Sequence, residues 1–205
     1  MINYFLRYHN KLGNAFAQHI EIVTITLMIS VLLAAIITIL TIYSKTASKM
    51  VVYIFSMVYS IPSLALFAIL VPLTGLGKFT AIIVLVFYNQ YLLLRNTIDG
   101  LNNVDPSIVE AATGMGMSKS QILFQVRLPL AIRPIFAGMH LAVISTIGIA
   151  TIAATINAGG IGSILLDGLR TLNTTKILWG TLMSAGLAIA VNGALNVVEK
   201  RIGWN

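Results

Sequence analysis

The chain has 205 residues, of which 58% are hydrophobic and only 9% charged, and its formal net charge is +7. A mean hydropathy of +0.92 excludes an ordinary soluble domain. The basic residues are scattered at the ends of apolar runs, which argues against a nucleic-acid-binding patch. The sequence has no cysteine, so disulfides and thiolate metal ligands are excluded as well. Lipid is therefore the expected solvent for most of the chain.

Five uncharged apolar runs approach or reach the length that crosses a bilayer, and they predict an all-α integral membrane protein with five transmembrane helices. The runs are residues 22–43, 51–71, 79–94, 135–156 and 178–198. The first 21 residues lack both a signal-peptide hydrophobic region and a cleavage site. We therefore expect residues 1–21 to be an external N-terminal segment before a retained first span, 22–198 to be the membrane domain and 199–205 to be a cytoplasmic tail.

The distribution of Lys and Arg predicts the orientation. One side of the predicted topology carries eight of them and the other carries five, and the richer side is expected to be cytoplasmic. The eight are Lys45, Lys49, Arg95, Lys119, Arg127, Arg133, Lys200 and Arg201. This count places the N-terminus outside, and the C-terminus and the long 95–134 connection inside.

Helix punctuation marks both ends of a short helix in the 95–134 connection. Asp105 can cap a helix whose first position is Pro106, since proline has no N–H to lose there. The helix covers about residues 107–113, and we expect Gly114 and Gly116 to end it in a left-handed backbone conformation.

A second helix is predicted directly after this turn. Ser118 and Gln121 have the spacing of a capping box, so the helix begins at Lys119 and runs toward Pro129. Taken alone, the pattern is also compatible with a capped amphipathic hairpin on a membrane surface.

The same connection resembles the EAA loop of ABC importer permeases. That loop has Glu-Ala-Ala, three residues, Gly, nine residues and then Ile-x-Leu-Pro. The matching residues here are Glu110, Ala111, Ala112, Gly116, Leu128 and Pro129. Val126 stands where the family has Ile, and it keeps a β-branched apolar side chain. The resemblance implies that residues of about 104–128 couple the chain to an ATPase.

Most of residues 60–170 looks like the permease subunits of osmoprotectant ABC importers, whose solutes include glycine betaine, carnitine and choline. The similar stretches include IPSLALFAILVPLTGLG and IGIATIAATINAGGIGSILLDGL. The resemblance implies a MetI-like type I importer fold in a bacterial cytoplasmic membrane. It also implies three kinds of partner: a second permease chain, identical or homologous, two ATP-binding cassette subunits and an external substrate-binding protein.

The sequence contains no evident motif for catalysis or for nucleotide hydrolysis. No GxxxxGK[ST] loop, metal-binding histidine motif or pair of membrane carboxylates occurs. We therefore expect a transport subunit rather than an enzyme, with no cofactor of its own and with ATP and Mg bound by the partner ATPase. The alternatives are a permease for methionine, another amino acid or a thiol betaine, an ion-driven secondary transporter, and a small membrane enzyme.

Polar residues within or beside the spans are candidates for the translocation path. They either line a water-filled path or tie helices together, and the sequence does not choose between the two roles. The candidates are Asn89, Gln90, His140, Thr151, Thr155 and Asn157. His140 is the only ionisable group inside a predicted span, and a hydrogen bond to a neighbouring helix is its alternative role.

Other patterns predict local packing. Pro62 and Pro72 are expected to interrupt or end the second span. A stripe of small residues on the fourth span predicts close helix packing, either within the chain or with a second permease. Its members are Gly138, Ala142, Ser145 and Gly148. Residues 157–176 predict a short amphipathic helix on the outer surface, with Ile161, Ile164, Leu165 and Leu169 at helical spacing.

Overall fold

The computed structural model describes residues 2–202, which form helices and turns, with no strand among them. The helices are α1 (Ile2–Thr41), α2 (Lys45–Ser60), α3 (Ser63–Thr74), α4 (Lys78–Asn102), α5 (Pro106–Gly114), α6 (Lys119–Gln121), α7 (Leu128–Leu130), α8 (Ile132–Ile152), α9 (Ile161–Arg170) and α10 (Thr174–Ile202). A π-helical turn (Ile122–Arg127) joins α6 to α7, and a 3-10 turn (Ala153–Ile156) follows α8. The predicted all-α class is confirmed.

Apolar contacts show which helix ends lie together. Ile42 after α1, Leu101 of α4 and Leu123 of the π-helical turn share one buried cluster. At the other end of the bundle, Leu12 of α1 packs with Ile164 of α9. We call the first the near end and the second the far end. The 95–134 connection therefore lies at the near end.

Four helices, α1, α4, α8 with its 3-10 turn, and α10, are long and apolar enough to span a membrane alone. Helices α2 and α3 together make the predicted total of five if the pair counts as one broken span. Helix α2 starts where α1 ends, and α3 ends where α4 begins. They are bent by 96° at the break. Pro62 lies at this break, whereas Pro72 lies inside α3.

The first helix is much longer than its apolar run. It begins at Ile2 instead of Ile22, so the predicted N-terminal segment 1–21 is helical over its described part. Charged side chains before Ile22 keep the apolar run short, but two of them form ion pairs with other parts of the chain at the far end. Lys11 lies 3.3 Å from Asp167, and Glu21 lies 2.6 Å from Lys78. A non-helical residue, Tyr8, marks a kink near the start.

Helix α9 forms as predicted, but it does not lie freely on the surface. Its buried residues include Ile161 and Ile164, and it packs against α10 and α1. Leu169, expected on the apolar face, is 59% exposed. Gly162 packs so tightly on α8 that a Cβ there would lie 1.9 Å from the Thr151 carbonyl oxygen. The helix is therefore part of the bundle.

Of the four helices that are long enough to span alone, the last is the least buried. Only Gly180 and Leu187 of α10 are buried. The helix continues through residues 199–202 of the predicted tail, and residues 203–205 lie outside the described part of the chain. Because a membrane-length helix has an exposed apolar surface here, lipid or another chain must cover it.

Candidate functional site

The connection between α4 and α8 is a rigid helical hairpin, as its punctuation predicts. The Asp105 carboxylate accepts hydrogen bonds from the Ser107 backbone N–H at 2.9 Å and from the Ser107 hydroxyl at 2.8 Å. These bonds stabilise the charged form and hold the pKa of Asp105 below its usual value. The predicted capping box at Ser118 and Gln121 is also present. Both helices of the hairpin therefore begin at capped residues.

The turn between these helices depends on one glycine. Gly116 has φ +83°, its N–H donates to the Thr113 carbonyl, and the Met117 N–H donates to the Ala112 carbonyl. This pair of bonds is a Schellman motif with Gly116 in the left-handed position. Gly114, predicted to share that conformation, stays helical as the last residue of α5. One left-handed residue is sufficient to end the helix.

The EAA-like residues divide between an exposed surface and an anchor. Glu110, Ala111 and Gly116 are exposed, and the Glu110 side chain has no hydrogen bond or ion pair within residues 2–202. Ala112 is only 2% exposed and faces the hairpin's interior. Leu128 is 37% exposed. Helix α5 thus presents the charged Glu110 and the small Ala111 outward from the near end of the bundle.

Pro129 lies inside a continuous helical path instead of ending it. The π-helical turn that precedes α7 contains one residue more per turn than an α-helix. Ala131 then breaks the path with φ −89° and ψ 7° before α8 begins. The predicted second helix from Lys119 therefore forms as one path in which α6, the π-helical turn and α7 follow each other directly.

The hairpin is fixed firmly to the membrane helices. Leu123 and Ala131 are 4% and 1% exposed and pack with Leu101 of α4. Gly100 approaches Pro134 so closely that a Cβ would lie 2.5 Å from the proline Cγ. Because these contacts are tightly packed, a displacement of the hairpin moves the ends of α4 and α8 with it.

Two candidate path residues, Asn89 and Gln90, lie in the middle of the bundle and tie helices together. The Asn89 amide N–H2 donates to the hydroxyls of Ser30 at 3.2 Å and Thr146 at 2.8 Å. The Gln90 amide donates to the Ser30 carbonyl at 3.2 Å. All four residues are buried. These bonds join α1, α4 and α8, so the two amides are engaged within the chain.

His140 joins α8 to α10. Its Nδ1 lies 2.5 Å from the Asn192 Oδ1, and its Nε2 lies 3.1 Å from the Glu199 carboxylate. Both partners are on α10, and the histidine and the glutamate are partly buried. The predicted hydrogen bond to a neighbouring helix is therefore present, and a role of His140 in the path stays a prediction.

The far-end candidates remain at the surface. The hydroxyls of Thr151 and Thr155 donate to carbonyls of their own helix, those of Gly148 and Ile152. Asn157 is exposed and has a left-handed backbone with φ 61°. Their role in a path stays a prediction. In the small-residue stripe, Gly138 and Ala142 pack within the chain, whereas Gly148 is exposed with open space around it.

A buried histidine escaped the sequence analysis. His19 is 0% exposed, and neither of its ring nitrogens has a hydrogen-bond partner among the described residues. It packs against Gly160, the residue before α9. It was missed because it precedes Ile22, where the apolar run starts, and only the greater length of α1 places it in the bundle.

Comparison with known proteins assigns the chain to a family. Residues 26–204 match the family described as the binding-protein-dependent transport system inner membrane component. The chain belongs to this family of transport permeases. Its similarity to several individual members extends over 85% or more of their length.

Three relatives illustrate the similarity. The carnitine transport permease protein OpuCB of Listeria monocytogenes is 34% identical over 95% of this chain and 88% of its own. The choline transport system permease protein OpuBB of Bacillus subtilis is 34% identical over 90% of this chain and 85% of its own. The osmoprotectant import permease protein OsmW of Salmonella typhimurium is 31% identical over 97% of this chain and 94% of its own.

Solved structures confirm the predicted MetI-like fold. A chain of the inward-facing MetNI methionine ABC transporter superposes with a TM-score of 0.84, over 93% of this chain and 95% of that chain. The two share 18% sequence identity, so the likeness concerns the fold alone.

Proposed function

We propose that this chain is the permease subunit of an ABC importer that takes up osmoprotectant quaternary amines such as glycine betaine, carnitine or choline. The observation that carries the proposal is the near full-length similarity to permeases that are named for carnitine, choline and osmoprotectant transport. The fold alone does not select the solute, because a methionine transporter has it too.

The hairpin between α4 and α8 is the proposed contact with a separate ATPase, which binds the ATP and Mg. Ala111 lies on the exposed face of α5, and its small side chain permits close seating in a cleft of a partner protein. Glu110 has no partner within the described residues and offers a charge to pair across that contact. The buried anchor of Leu123 with Leu101 supplies a rigid connection to α4.

The near end is the proposed cytoplasmic side. It carries the hairpin and the ends of α1, α4 and α10, and with them the eight Lys and Arg of the richer side. The N-terminus is then external and the C-terminus cytoplasmic. The full assembly would contain two permease chains, two ATPase subunits and an external substrate-binding protein.

Reconstituted uptake tests the proposed solute. The permease, its ATPase and its binding protein are placed in vesicles, and uptake of radiolabelled glycine betaine, carnitine, choline and methionine is compared with and without ATP. ATP-dependent uptake of at least one quaternary amine is expected. Uptake of methionine alone would reassign the solute, and uptake that survives loss of the ATPase but collapses with an ionophore would indicate a secondary transporter.

A further inference from the structure

An apolar cavity opens on the membrane-facing side of the bundle. It has a volume of about 790 Å³ and lies between α1 on one side and α10 on the other, with α4 and α8 as its floor. The residues that line it are all apolar. They include Leu27 and Leu32 of α1, Ala142 of α8, and Val191 and Leu195 of α10.

A second cavity, of about 210 Å³, continues the first toward the near end. The two share Val31, Ala35, Leu93 and Met139, so they form one groove. The lower part is bordered by Leu123, Phe124 and Leu128 of the hairpin. Its polar lining residues are only Thr38 and Thr97. We call the two cavities together the α1 groove.

The length of the α1 groove matches one leaflet of a bilayer. Its wall on α1 runs from Leu27 to Ile39, which is a rise of about 18 Å in an α-helix. One leaflet contributes about half of the ~30 Å hydrocarbon core. The groove therefore has the length, polarity and position of a lipid acyl chain in the leaflet at the near end.

One cation, Arg127, is next in the chain to residues that line the lower part of the α1 groove. Arg127 follows Phe124 and directly precedes Leu128, both of which line the groove. It is half-buried, its Nε is shielded from solvent, and its side chain has no hydrogen bond or ion pair within residues 2–202. A partly buried guanidinium without an anion is costly, so an anionic partner is expected.

Ion pairing differs between the two ends of the bundle. At the far end, Lys11, Lys78 and Lys176 each pair with a carboxylate of the chain. Of the eight Lys and Arg at the near end, Arg95 is the only one that pairs with a carboxylate within the described residues. The near end thus has eight basic residues against four carboxylates, those of Asp99, Asp105, Glu110 and Glu199, and this excess of positive charge complements anionic lipid headgroups.

We propose that the α1 groove binds a phospholipid with an anionic headgroup, with one acyl chain between α1, α8 and α10 and its phosphate on Arg127. The lipid would contact both the membrane helices and the hairpin. It would therefore stabilise the position of the hairpin relative to α1.

Native mass spectrometry of the full chain tests this proposal. The protein is equilibrated with vesicles of equal parts phosphatidylglycerol and phosphatidylcholine, and the lipid retained after mild extraction is identified. Wild-type protein should retain more phosphatidylglycerol than phosphatidylcholine. Ala35→Phe places a ring where the two cavities join and should abolish most of the retention, whereas Ile36→Phe, an enlargement on an exposed part of α1 outside the groove, should not.

The headgroup contact is tested by two substitutions of Arg127, one that removes its charge and one that keeps it. Arg127→Gln should lower phosphatidylglycerol retention about fivefold, the effect of one basic residue at an anionic membrane surface. Arg127→Lys should retain most of it, and Arg170→Gln, which removes an exposed cation at the far end, should have no effect.

Three results would overturn the proposal. The first is equal retention of both lipids by wild-type protein. The second is an equal loss in Ile36→Phe and Ala35→Phe. The third is efficient disulfide formation between two copies of an Ala35→Cys variant in vesicles, because a second chain would then occupy the groove.

Discussion

Gly116 is the single residue on which the geometry of the hairpin turn depends. A β-branched side chain at φ +83° costs about 1–2 kcal/mol. Gly116→Val should therefore shift α5 and lower solute-stimulated ATP hydrolysis several-fold in the reconstituted importer, with membrane insertion unchanged.

Gly114→Val provides the matched control for this prediction. Both glycines are exposed, and a Cβ added at either would meet nothing within 4 Å, but Gly114 is helical. The control variant should keep nearly normal coupling. Wild-type coupling in Gly116→Val would show that the turn does not transmit movement.

Asn89 is the residue at which three helices meet. Asn89→Ala leaves the hydroxyls of Ser30 and Thr146 without their shared partner, and interhelical bonds of this kind contribute about 0.6–2 kcal/mol in membranes. A lower melting temperature in detergent is expected. The control is Thr155→Ala, whose hydroxyl bonds only to its own helix. A change in transport kinetics at unchanged stability would instead place Asn89 in the path.

At the level of elements, the seat of α9 against α8 depends on Gly162. A methyl group there would meet the Thr151 carbonyl oxygen at 1.9 Å, which is backbone and cannot rotate away. We expect Gly162→Ala to destabilise the bundle by about 1–3 kcal/mol, the usual cost of overpacking. Gly186→Ala, in α10 with nothing within 4 Å, should be neutral or stabilising. Similar melting temperatures for the two variants would contradict this seat.

The elements that the sequence predicts best are those with local signals. Capping residues at Asp105 and Ser118 and the turn at Gly116 depend on neighbours in the chain, and all three form as expected. Helix α1 is the opposite case. Its apolar run starts only at Ile22, because charged residues precede it. The helix nevertheless extends to the N-terminal side, where Lys11 pairs with Asp167, which is 156 residues away. Such a long-range contact leaves no periodic signal.

The bend between α2 and α3 was predictable in position but not in size. Pro62 marks the break, but no local signal gives the 96° angle or the contact that α4 makes there. The Tyr88 hydroxyl of α4 donates to the Ile61 carbonyl, which the break leaves without a helical donor. Likewise, Asn89 was identified as a polar residue, but its partners Ser30 and Thr146 were not, since isolated hydroxyls in apolar runs are common and usually bond to their own helix.

For the whole molecule, the proposed function treats the hairpin as the one mechanical input to the bundle. The hairpin at the near end is exposed on α5 and anchored to α4 and α8 by Leu101, Leu123 and Ala131. The polar centre around Asn89 links those helices to α1 farther into the membrane. A displacement of α5 by a partner would thus reach the middle of the bundle through packed contacts.

Site-specific photo-crosslinking in the assembled importer tests this central claim most directly. A photoreactive side chain is placed at Ala111 on the exposed face of α5, and at Thr155 at the far end as a control, and the crosslinked products are identified by mass spectrometry. The account predicts that Ala111 crosslinks to the ATPase subunit and that Thr155 does not. Crosslinks from Ala111 to lipid or to an external protein, with none to the ATPase, would contradict it.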